Sequence, residues 1–263
     1  MEALSHFLSS ADLFSPAMLA ILIGTGFIVG FINTIAGLAS AISYALFMAM
    51  GMPITMANGT TRPGVLLQFL TSSLLFRKAG ILPVKTAVKV AIPIAIGSFL
   101  GSELANLIPI RTFEWITGCT LPLLACLLFI DTRTVAKNTG LQDAYRLGPF
   151  QFLLFAFVGC YGGFTHAGVG LLIIFASVFL FGMNLSHANA LKQLAVVLYT
   201  PIALAVFISH GQINWPVALI YAIGNVSGAV VASKFAIRGG AKFIRWCVTL
   251  CVIAMSAWLL LFK

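Results

Sequence analysis

Apolar segments fill this chain from Leu13 to Phe262, with a single long polar interruption. Of its 263 residues, 60% are hydrophobic and 8% are charged, whereas soluble domains are typically about 45–50% apolar and about 25% charged. A soluble protein of this size could not bury so much hydrocarbon. The sequence therefore excludes a soluble enzyme and a disordered chain, and it predicts an all-α polytopic membrane protein.

The chain is also internally duplicated. A shift of 131 positions aligns the two halves without a gap over residues 20–130, and about one position in five is identical, which indicates a repeat. Gly37 aligns with Gly168, and Asn58 aligns with Asn189. We therefore predict repeat 1 at residues 17–130 and repeat 2 at 149–262, joined by a polar linker at 131–148.

Each repeat contains the same series of apolar runs. A first run interrupted by glycines (17–36; 149–167) is followed by a short run (38–50; 169–182) and then by three longer runs (60–77, 84–106 and 110–130; 190–208, 214–236 and 241–262). Thirteen helical residues cover only about 20 Å, which is less than the hydrocarbon core of a bilayer. The short runs are therefore predicted to be broken, tilted or re-entrant helices, and the sequence leaves open whether they span the membrane.

Basic residues favour one orientation of the repeats. If each short run returns the chain to the side it came from, ten basic residues face one side and only Arg111 and Lys263 face the other. Otherwise the same twelve residues divide seven against five. Basic residues collect on the cytoplasmic side of membranes. The first arrangement is therefore favoured; it inverts the two repeats, places the linker in the cytoplasm and leaves both termini outside.

The predicted helix breaks fall at residues 33–37 and 164–168. Inverted repeats with interrupted segments at matching positions are typical of secondary transporters, and the breaks mark the binding site. A helix that starts inside the membrane presents free N–H groups and a positive terminus, which favour an anion. We expect the two tips to converge and to bind substrate. The predicted residues at these tips are Asn33, Thr34, Gly37, Thr165, His166 and Gly168.

Arg62 and Lys192 are cations within or near membrane segments, one in each repeat. A charge at such a position is costly and indicates a functional site. The 131-residue register aligns each cation with a polar residue of the other repeat, and an Asn lies close by in both. The alternative is that each cation has only a structural role, either paired within the protein or reaching the membrane interface. The predicted binding residues here are Asn58, Thr61, Arg62, Asn189, Lys192 and Gln193.

Pro63 predicts that the helix carrying Arg62 starts near this position, after an unwound segment, because proline suits a first helical turn. The 15 residues from Arg62 to Arg77 correspond to about 22 Å of helix. We therefore expect Arg62 nearer the outer face of the membrane and Lys192 nearer the inner face.

Several residues have two interpretations. His166 could relay protons, since imidazole titrates near physiological pH, or it could be a buried structural histidine. The three Asn residues could bind substrate or bridge helices. Lys89 lies close enough to a helix end to reach water. The two G-x-x-x-G motifs, at 97–101 and 224–228, predict close packing between helices.

Other function classes are disfavoured. The sequence has no HExxH or GxSxG motif and no intramembrane acid pair, which argues against an intramembrane enzyme. It predicts no metal site and no cofactor. It also predicts no nucleic-acid partner, because no basic stretch alternates with aromatic residues. A G-x-x-x-x-G-K-[ST] loop for ATP is absent. A channel that uses the same cations for selectivity stays open.

The paired motifs resemble the sulfite exporter TauE/SafE-like family, also called the sulfonate uptake permease superfamily. The resemblance covers residues 20–262 and rests on two glycine-rich first segments (GTGFIVGFINTIAG; VGCYGGFTHAGVG), two Ala-Asn blocks (ANGTTR; ANALK) and two aromatic-to-Gly endings (LLFRKAG; VFISHG). The turn at residues 36–40 reads Ala-Gly-Leu-Ala-Ser, where the family often has a run of glycines.

The resemblance implies a transporter in the bacterial inner (plasma) membrane that moves sulfite or an organosulfonate, with protons as the coupling ion. Export by alternating access is our expected activity. Uptake, or a channel for another small organic or inorganic anion, is the alternative. The expected partners are the anionic substrate, protons and the lipid bilayer, and the chain is expected to be a monomer or a homodimer.

Overall fold

The computed structural model of the chain is helical, with no strand in the residues it describes. It describes the backbone of residues 8, 12–127 and 147–261, and the side chains of these residues except 121, 122, 125–127 and those beyond 240. Nearly all of the predicted linker at 131–148 and both chain ends lie outside the described residues. The helices of the described part are α1 (Pro16–Ile35), α2 (Ser40–Ala49), α3 (Ile54–Lys78), α4 (Val84–Leu107), α5 (Ile110–Leu127), α6 (Pro149–Phe164), α7 (Val169–Phe181), α8 (Leu185–Ser209) and α9 (Trp215–Leu261).

Within the described residues, four helical segments are long and apolar enough to cross a membrane: α1, α4, α8 and the first part of α9, Trp215–Gly240. Gly240 has non-helical backbone angles (φ 55°, ψ −152°) and divides α9 there. The two predicted short runs are confirmed as short helices, with 10 residues in α2 and 13 in α7. At 1.5 Å per residue, α2 is about 15 Å long and α7 about 20 Å long.

Helix α7 is the more buried of the two short helices. Its sequence is apolar on every side, and most of its residues are buried against other helices, as expected for a helix without a lipid or solvent face. By contrast, α4 exposes large apolar side chains such as Ile92, Ile96 and Leu100, which suits contact with acyl chains. Helix α7 therefore lies inside the protein, whereas α4 has a surface that suits lipid. Helix α2 is only partly buried, since Ile42 and Met48 are exposed.

The two G-x-x-x-G motifs bring helix backbones into contact, as predicted. A Cβ atom on Gly97 would lie 1.9 Å from the carbonyl oxygen of Ala156 on α6, and one on Gly228 would lie 2.1 Å from the carbonyl oxygen of Phe27 on α1. Hydrophobic driving force between helices is lost in lipid, so such close packing supplies much of the association energy. These glycines fix α4 against α6 and α9 against α1.

Equivalent helices of the two repeats make equivalent contacts. In the 131-residue register α1 corresponds to α6, and α4 corresponds to the first part of α9. The first helix of each repeat thus packs on the fourth helix of the other repeat, and α3 and α8 pack on α9 and α4 in the same crossed way. The orientation of the two repeats across the membrane stays a prediction.

The prediction of an unwound segment before Pro63 is wrong. The helix that carries Arg62 begins at Ile54, just after Pro53, and Pro63 lies in its interior. A proline within a helix removes one backbone hydrogen bond, but membrane helices tolerate this loss where neighbouring groups satisfy the freed carbonyl. Its counterpart α8 also begins before the predicted position, at Leu185, and contains Pro201.

Candidate anion-binding site

The helix breaks between α1 and α2 and between α6 and α7 occur at the predicted positions. Each contains a glycine in the left-handed region, with φ of 76° at Gly37 and 84° at Gly168. Residues with a Cβ atom rarely adopt such angles, whereas glycine does so without strain. Glycine therefore permits the reversal that ends one helix and starts the next inside the protein.

The two tips converge, as predicted. A Cβ atom on Gly37 would lie 2.7 Å from the Cα of Gly170, and one on Gly170 would lie 2.8 Å from the Cα of Gly37. Leu38 and Gly168 are also close, since a Cβ on Gly168 would lie 3.7 Å from a methyl group of Leu38. The backbones of the two breaks are thus in direct contact, and only small residues fit between them.

All of the predicted site residues are buried, and they surround the two tips. They comprise the residues of both breaks and the polar residues of α3 and α8. The buried set is Asn33, Thr34, Gly37, Asn58, Thr61, Arg62, Thr165, His166, Gly168, Asn189, Lys192 and Gln193.

Arg62 lies on α3 and contacts the last turn of α6. Its Nη2 donates to the carbonyl oxygens of Gly163 at 2.6 Å and Gly162 at 3.4 Å, and to Asn58 Oδ1 at 3.2 Å. The guanidinium carbon lies 4.4 Å from the centre of the Phe207 ring, a cation–π distance. The side chain is fully buried, and neither Nε nor Nη1 has a hydrogen-bond partner.

Asn58 and Tyr44 also contact the break between α6 and α7. The Nδ2 of Asn58 donates to the carbonyl oxygen of Phe164 at 2.7 Å, and its Oδ1 accepts from the Tyr44 hydroxyl at 2.8 Å. The same hydroxyl oxygen accepts from the backbone N–H of His166 at 3.0 Å. Residues of repeat 1 therefore hold both sides of the break in repeat 2.

Lys192 lies on α8 and makes the corresponding contact with the end of α1. Its Nζ donates to the carbonyl oxygens of Asn33 at 2.9 Å and Thr34 at 3.0 Å. The Nε2 of Gln193, the register partner of Arg62, also donates to Thr34 at 2.8 Å. Lys192 is fully buried, and its Nζ lies 5.6 Å from the centre of the Phe69 ring.

Each cation therefore binds the carbonyl end of the broken helix that belongs to the other repeat. The last carbonyl groups of a helix lack partners within the helix and carry a partial negative charge. A buried ammonium or guanidinium group neutralises that charge and satisfies those carbonyls. The sequence predicted the cations and the breaks, but not that the backbone carbonyls would be their partners.

Asn33 holds the turn that leads into α2. The backbone N–H of Ala39 donates to Asn33 Oδ1 at 2.7 Å, and Asn33 Nδ2 donates to the Ser40 hydroxyl at 2.9 Å. Both polar atoms of Asn33 are thus engaged, which favours the structural interpretation of this residue. Thr61 is similar, since its hydroxyl donates to the carbonyl oxygen of Asn58 in its own helix at 2.7 Å.

His166 lies at the tip between α6 and α7 and is 2% exposed. Its Nδ1 lies 3.0 Å from the Tyr199 hydroxyl on α8. The register equivalent of Tyr199 is Gln68 on α3, and its Nε2 donates to Thr34 at 3.4 Å. A polar residue at this position of each repeat therefore contacts the break of its own repeat.

Tyr44, Tyr199 and Gln68 belong to the site and were not predicted. The two tyrosines lie within apolar runs, where an aromatic residue is usually part of the core. Their hydroxyl groups could have identified them as site residues, because a buried Tyr in a membrane helix needs a hydrogen-bond partner. Gln68 carried a similar signal as a polar residue that the register aligns with Tyr199.

The site is cationic. The carboxylates of the described residues are Asp12, Glu103 and Glu114, and none of them pairs with Arg62 or Lys192. Buried polar atoms without partners also lie near the cations, among them Asn189 Nδ2 and Gln193 Oε1. Two buried positive charges with unused donors provide what a small oxyanion needs.

Comparison with known proteins identifies the family. The family described as "Sulfite exporter TauE/SafE" matches residues 22–259, which cover most of both predicted repeats and all of the candidate site residues. The chain belongs to this family. No solved structure matches the chain.

Curated relatives agree with this assignment. A "Probable membrane transporter protein" of Haemophilus influenzae is 30% identical over 240 residues, covering 91% of this chain and 93% of the relative. "Probable membrane transporter protein YfcA" of Escherichia coli is 26% identical, with 96% and 93% covered. "Probable membrane transporter protein YdhB" of Bacillus subtilis is 26% identical, with 80% and 85% covered. This TauE/SafE family member is therefore a multi-pass membrane transporter.

Proposed function

We propose that the chain exports sulfite or a small organosulfonate across the bacterial inner membrane. It would act as a secondary transporter by alternating access, with protons as the coupling ion. The observation that supports this most is the pair of fully buried cations, Arg62 and Lys192, at matching helix breaks. No carboxylate of the described residues neutralises either cation.

The donors that are free for an anion lie mainly on Arg62. Its Nη2 is occupied by carbonyl oxygens, but its Nε and Nη1 are buried without partners. A sulfite or sulfonate group presents three oxygens, and charge-assisted hydrogen bonds to a guanidinium group suit this geometry. Asn189 Nδ2 is a further buried donor without a partner.

The two cations have different proposed roles. Lys192 Nζ donates to two carbonyl oxygens at the end of α1, so most of its hydrogen-bonding capacity is used within the protein. We assign Lys192 mainly to holding the break and adding positive potential, and Arg62 to direct contact with the anion. Gln193 supports Lys192 by donating to Thr34.

Closure of the site supports alternating access. Both cations are fully buried. An anion could reach Arg62 only after helices move. The crossed contacts between repeats suggest how such movement would be shared, since each cation connects α3 or α8 to the broken helix of the other repeat.

The proposed orientation places both termini outside and the linker in the cytoplasm. Arg77 and Lys78, at the end of α3, and Lys85, at the start of α4, are exposed, as the positive-inside rule expects for cytoplasmic residues. Together with the three basic residues of the linker and four at 234–245, they give the ten-against-two division of basic residues. In this orientation the two repeats have inverted topology.

A panel of anions should reveal the substrate class. We expect sulfite or one small sulfonate to raise the unfolding temperature of the detergent-purified protein, while acetate, phosphate and sulfate have little effect. Binding stabilises the folded state by RT ln(1 + [ligand]/Kd), and calorimetry would confirm the affinity. Taurine, isethionate and sulfoacetate complete the panel. Stabilisation by acetate or phosphate alone would contradict the sulfur-anion assignment.

Replacement of His166 with glutamine should separate anion movement from proton coupling. In proteoliposomes we expect the His166→Gln variant to retain exchange of labelled against unlabelled anion, but to lose accumulation driven by a pH gradient. Glutamine can still bond to Tyr199 but cannot titrate. His210→Gln is the matched control, because His210 lies at a helix end, 3.7 Å from Glu103. Normal gradient-driven accumulation by His166→Gln would exclude the relay, and accumulation itself would exclude a channel.

A further inference from the structure

Four methionines line one cavity near the loop between α2 and α3. The cavity has a volume of about 250 Å³, roughly that of several water molecules. Its lining includes Met18 of α1, Met50 and Met52 between α2 and α3, and Met56 of α3. The chain contains eight methionines, so half of them meet at this one place.

Core packing accounts for only part of this arrangement: Met18 is buried in a hydrophobic cluster, and Met50 and Met52 pack against that cluster. Methionine usually fills irregular gaps in a core, because its side chain is flexible and polarizable. Here the methionines border a space that stays open, and three of them, Met50, Met52 and Met56, are only half-buried. The spacing Met-x-Met-x-x-x-Met supplies thioethers from the end of one helix, a loop and the first turn of the next.

We infer that this cavity binds a soft monovalent metal cation, Cu(I) being the physiological ion of that class, through methionine sulfur. Thioethers are soft neutral ligands that select Cu(I) over zinc, magnesium and calcium. Neutral ligands suit a monovalent ion better than a divalent one, since they do not offset its charge. The flexible methionine side chains let the sulfur atoms close around an ion much smaller than the cavity.

The described residues offer no site for a harder metal. They contain no group of three or more His, Cys, Asp or Glu side chains that could hold an ion. The polar side chain that lines the cavity, Asn214, already accepts from the backbone N–H of Val217 at 3.3 Å. The methionine sulfurs are therefore the ligands that distinguish this cavity.

The inferred metal site is separate from the proposed anion site. Its lining shares no residue with the anion-binding set. It lies at the start of α3, whereas Arg77 and Lys78 lie at the other end of that helix, so the positive-inside rule places it on the outer side of the membrane. A negative result in the metal-binding test would therefore leave the proposed anion site unaffected, and the reverse is also true.

A Cu(I) competition titration tests the inference. The full chain, purified in detergent with its cysteines blocked by N-ethylmaleimide, is titrated anaerobically against a chromogenic Cu(I) chelator. We expect one bound Cu(I) per chain and at least a tenfold weaker affinity in the Met50→Leu/Met52→Leu variant. Leucine preserves volume and is usually tolerated in place of methionine. The matched control is Met48→Leu, because Met48 is 38% exposed and does not line the cavity.

Copper X-ray absorption on the wild-type protein gives a second readout that needs no variant. We expect at least two sulfur neighbours around the bound Cu(I). The inference is overturned if the chain binds no Cu(I), if the double variant binds as tightly as Met48→Leu, or if only nitrogen and oxygen surround the metal. Should the double variant not fold, Met18→Leu and the spectrum decide the question.

Discussion

Replacement of Arg62 with glutamine is expected to weaken binding of the transported anion by about 100-fold or more, because removal of one partner from a buried charge pair costs about 3–5 kcal/mol. Arg62 is fully buried, and its Nε and Nη1 are the unpartnered cationic donors at the site. Glutamine keeps an amide that can bond to Gly163, so α6 retains part of its cap while the positive charge is lost. Calorimetry and transport into proteoliposomes measure the effect.

The matched control removes one positive charge from a different part of the protein. Lys89 lies on α4 and is exposed, so Lys89→Gln removes one positive charge without touching the site. We expect unchanged anion affinity in this variant. A general electrostatic effect would weaken binding in both variants, whereas direct contact would weaken it only in Arg62→Gln. Folding of each variant is checked by its unfolding temperature without anion.

Arg62→Lys provides a sharper test of the geometry. Lysine restores the charge but not the planar set of donors that a guanidinium group presents. We expect this variant to fold and to bind the anion more weakly than the wild type. Wild-type affinity in folded Arg62→Gln would remove Arg62 from the binding site and leave it as a structural cap on α6.

The sequence predicted the parts of the fold that depend on local chemistry and on the repeat. Gly37 and Gly168 marked the breaks because a reversal of the backbone inside the membrane needs left-handed angles, which glycine adopts. The short apolar runs that follow became α2 and α7. The G-x-x-x-G motif at Gly97 predicted close helix packing, although its partner α6 could be identified only from the structure.

The partners of the cations could not be predicted in the same way. Arg62 and Lys192 bind backbone carbonyls of Gly163, Asn33 and Thr34, and every residue type carries a carbonyl group. Their identity depends on how the two repeats interlock, which is a long-range property. The misplaced start of α3 has a different cause. Proline suits a first turn and is also tolerated within membrane helices, so Pro63 alone does not define where a helix begins.

The crossed caps connect the two repeats mechanically. Arg62 of repeat 1 binds the end of α6, and Lys192 of repeat 2 binds the end of α1. If α3 moved relative to α6, Arg62 would have to leave the carbonyl of Gly163 or carry α6 with it. An anion that competes with this carbonyl for the guanidinium group would weaken that connection. Binding and movement would then be coupled by the same donors.

The close crossing of α4 and α6 should be as sensitive to substitution as the cation site. We expect Gly97→Ala to destabilise the protein by about 3 kcal/mol or more, at the upper end of the cost of overpacking. The new Cβ would lie 1.9 Å from the carbonyl oxygen of Ala156, and a backbone atom cannot rotate away as a side chain can. Gly228→Ala should have a similar effect, because its Cβ would lie 2.1 Å from the carbonyl oxygen of Phe27.

Gly24→Ala is the control for both substitutions. It also adds a methyl group within an apolar helix, but apart from the backbone of its own helix no atom lies within 4 Å of its Cβ position. Because alanine favours a helix by up to about 1 kcal/mol relative to glycine, this variant should be neutral or slightly more stable. Thermal unfolding and the yield of monodisperse protein measure all three variants. Unfolding of Gly97→Ala at the same temperature as Gly24→Ala would show that α4 and α6 can separate at little cost, and close backbone packing would then not hold the two repeats together.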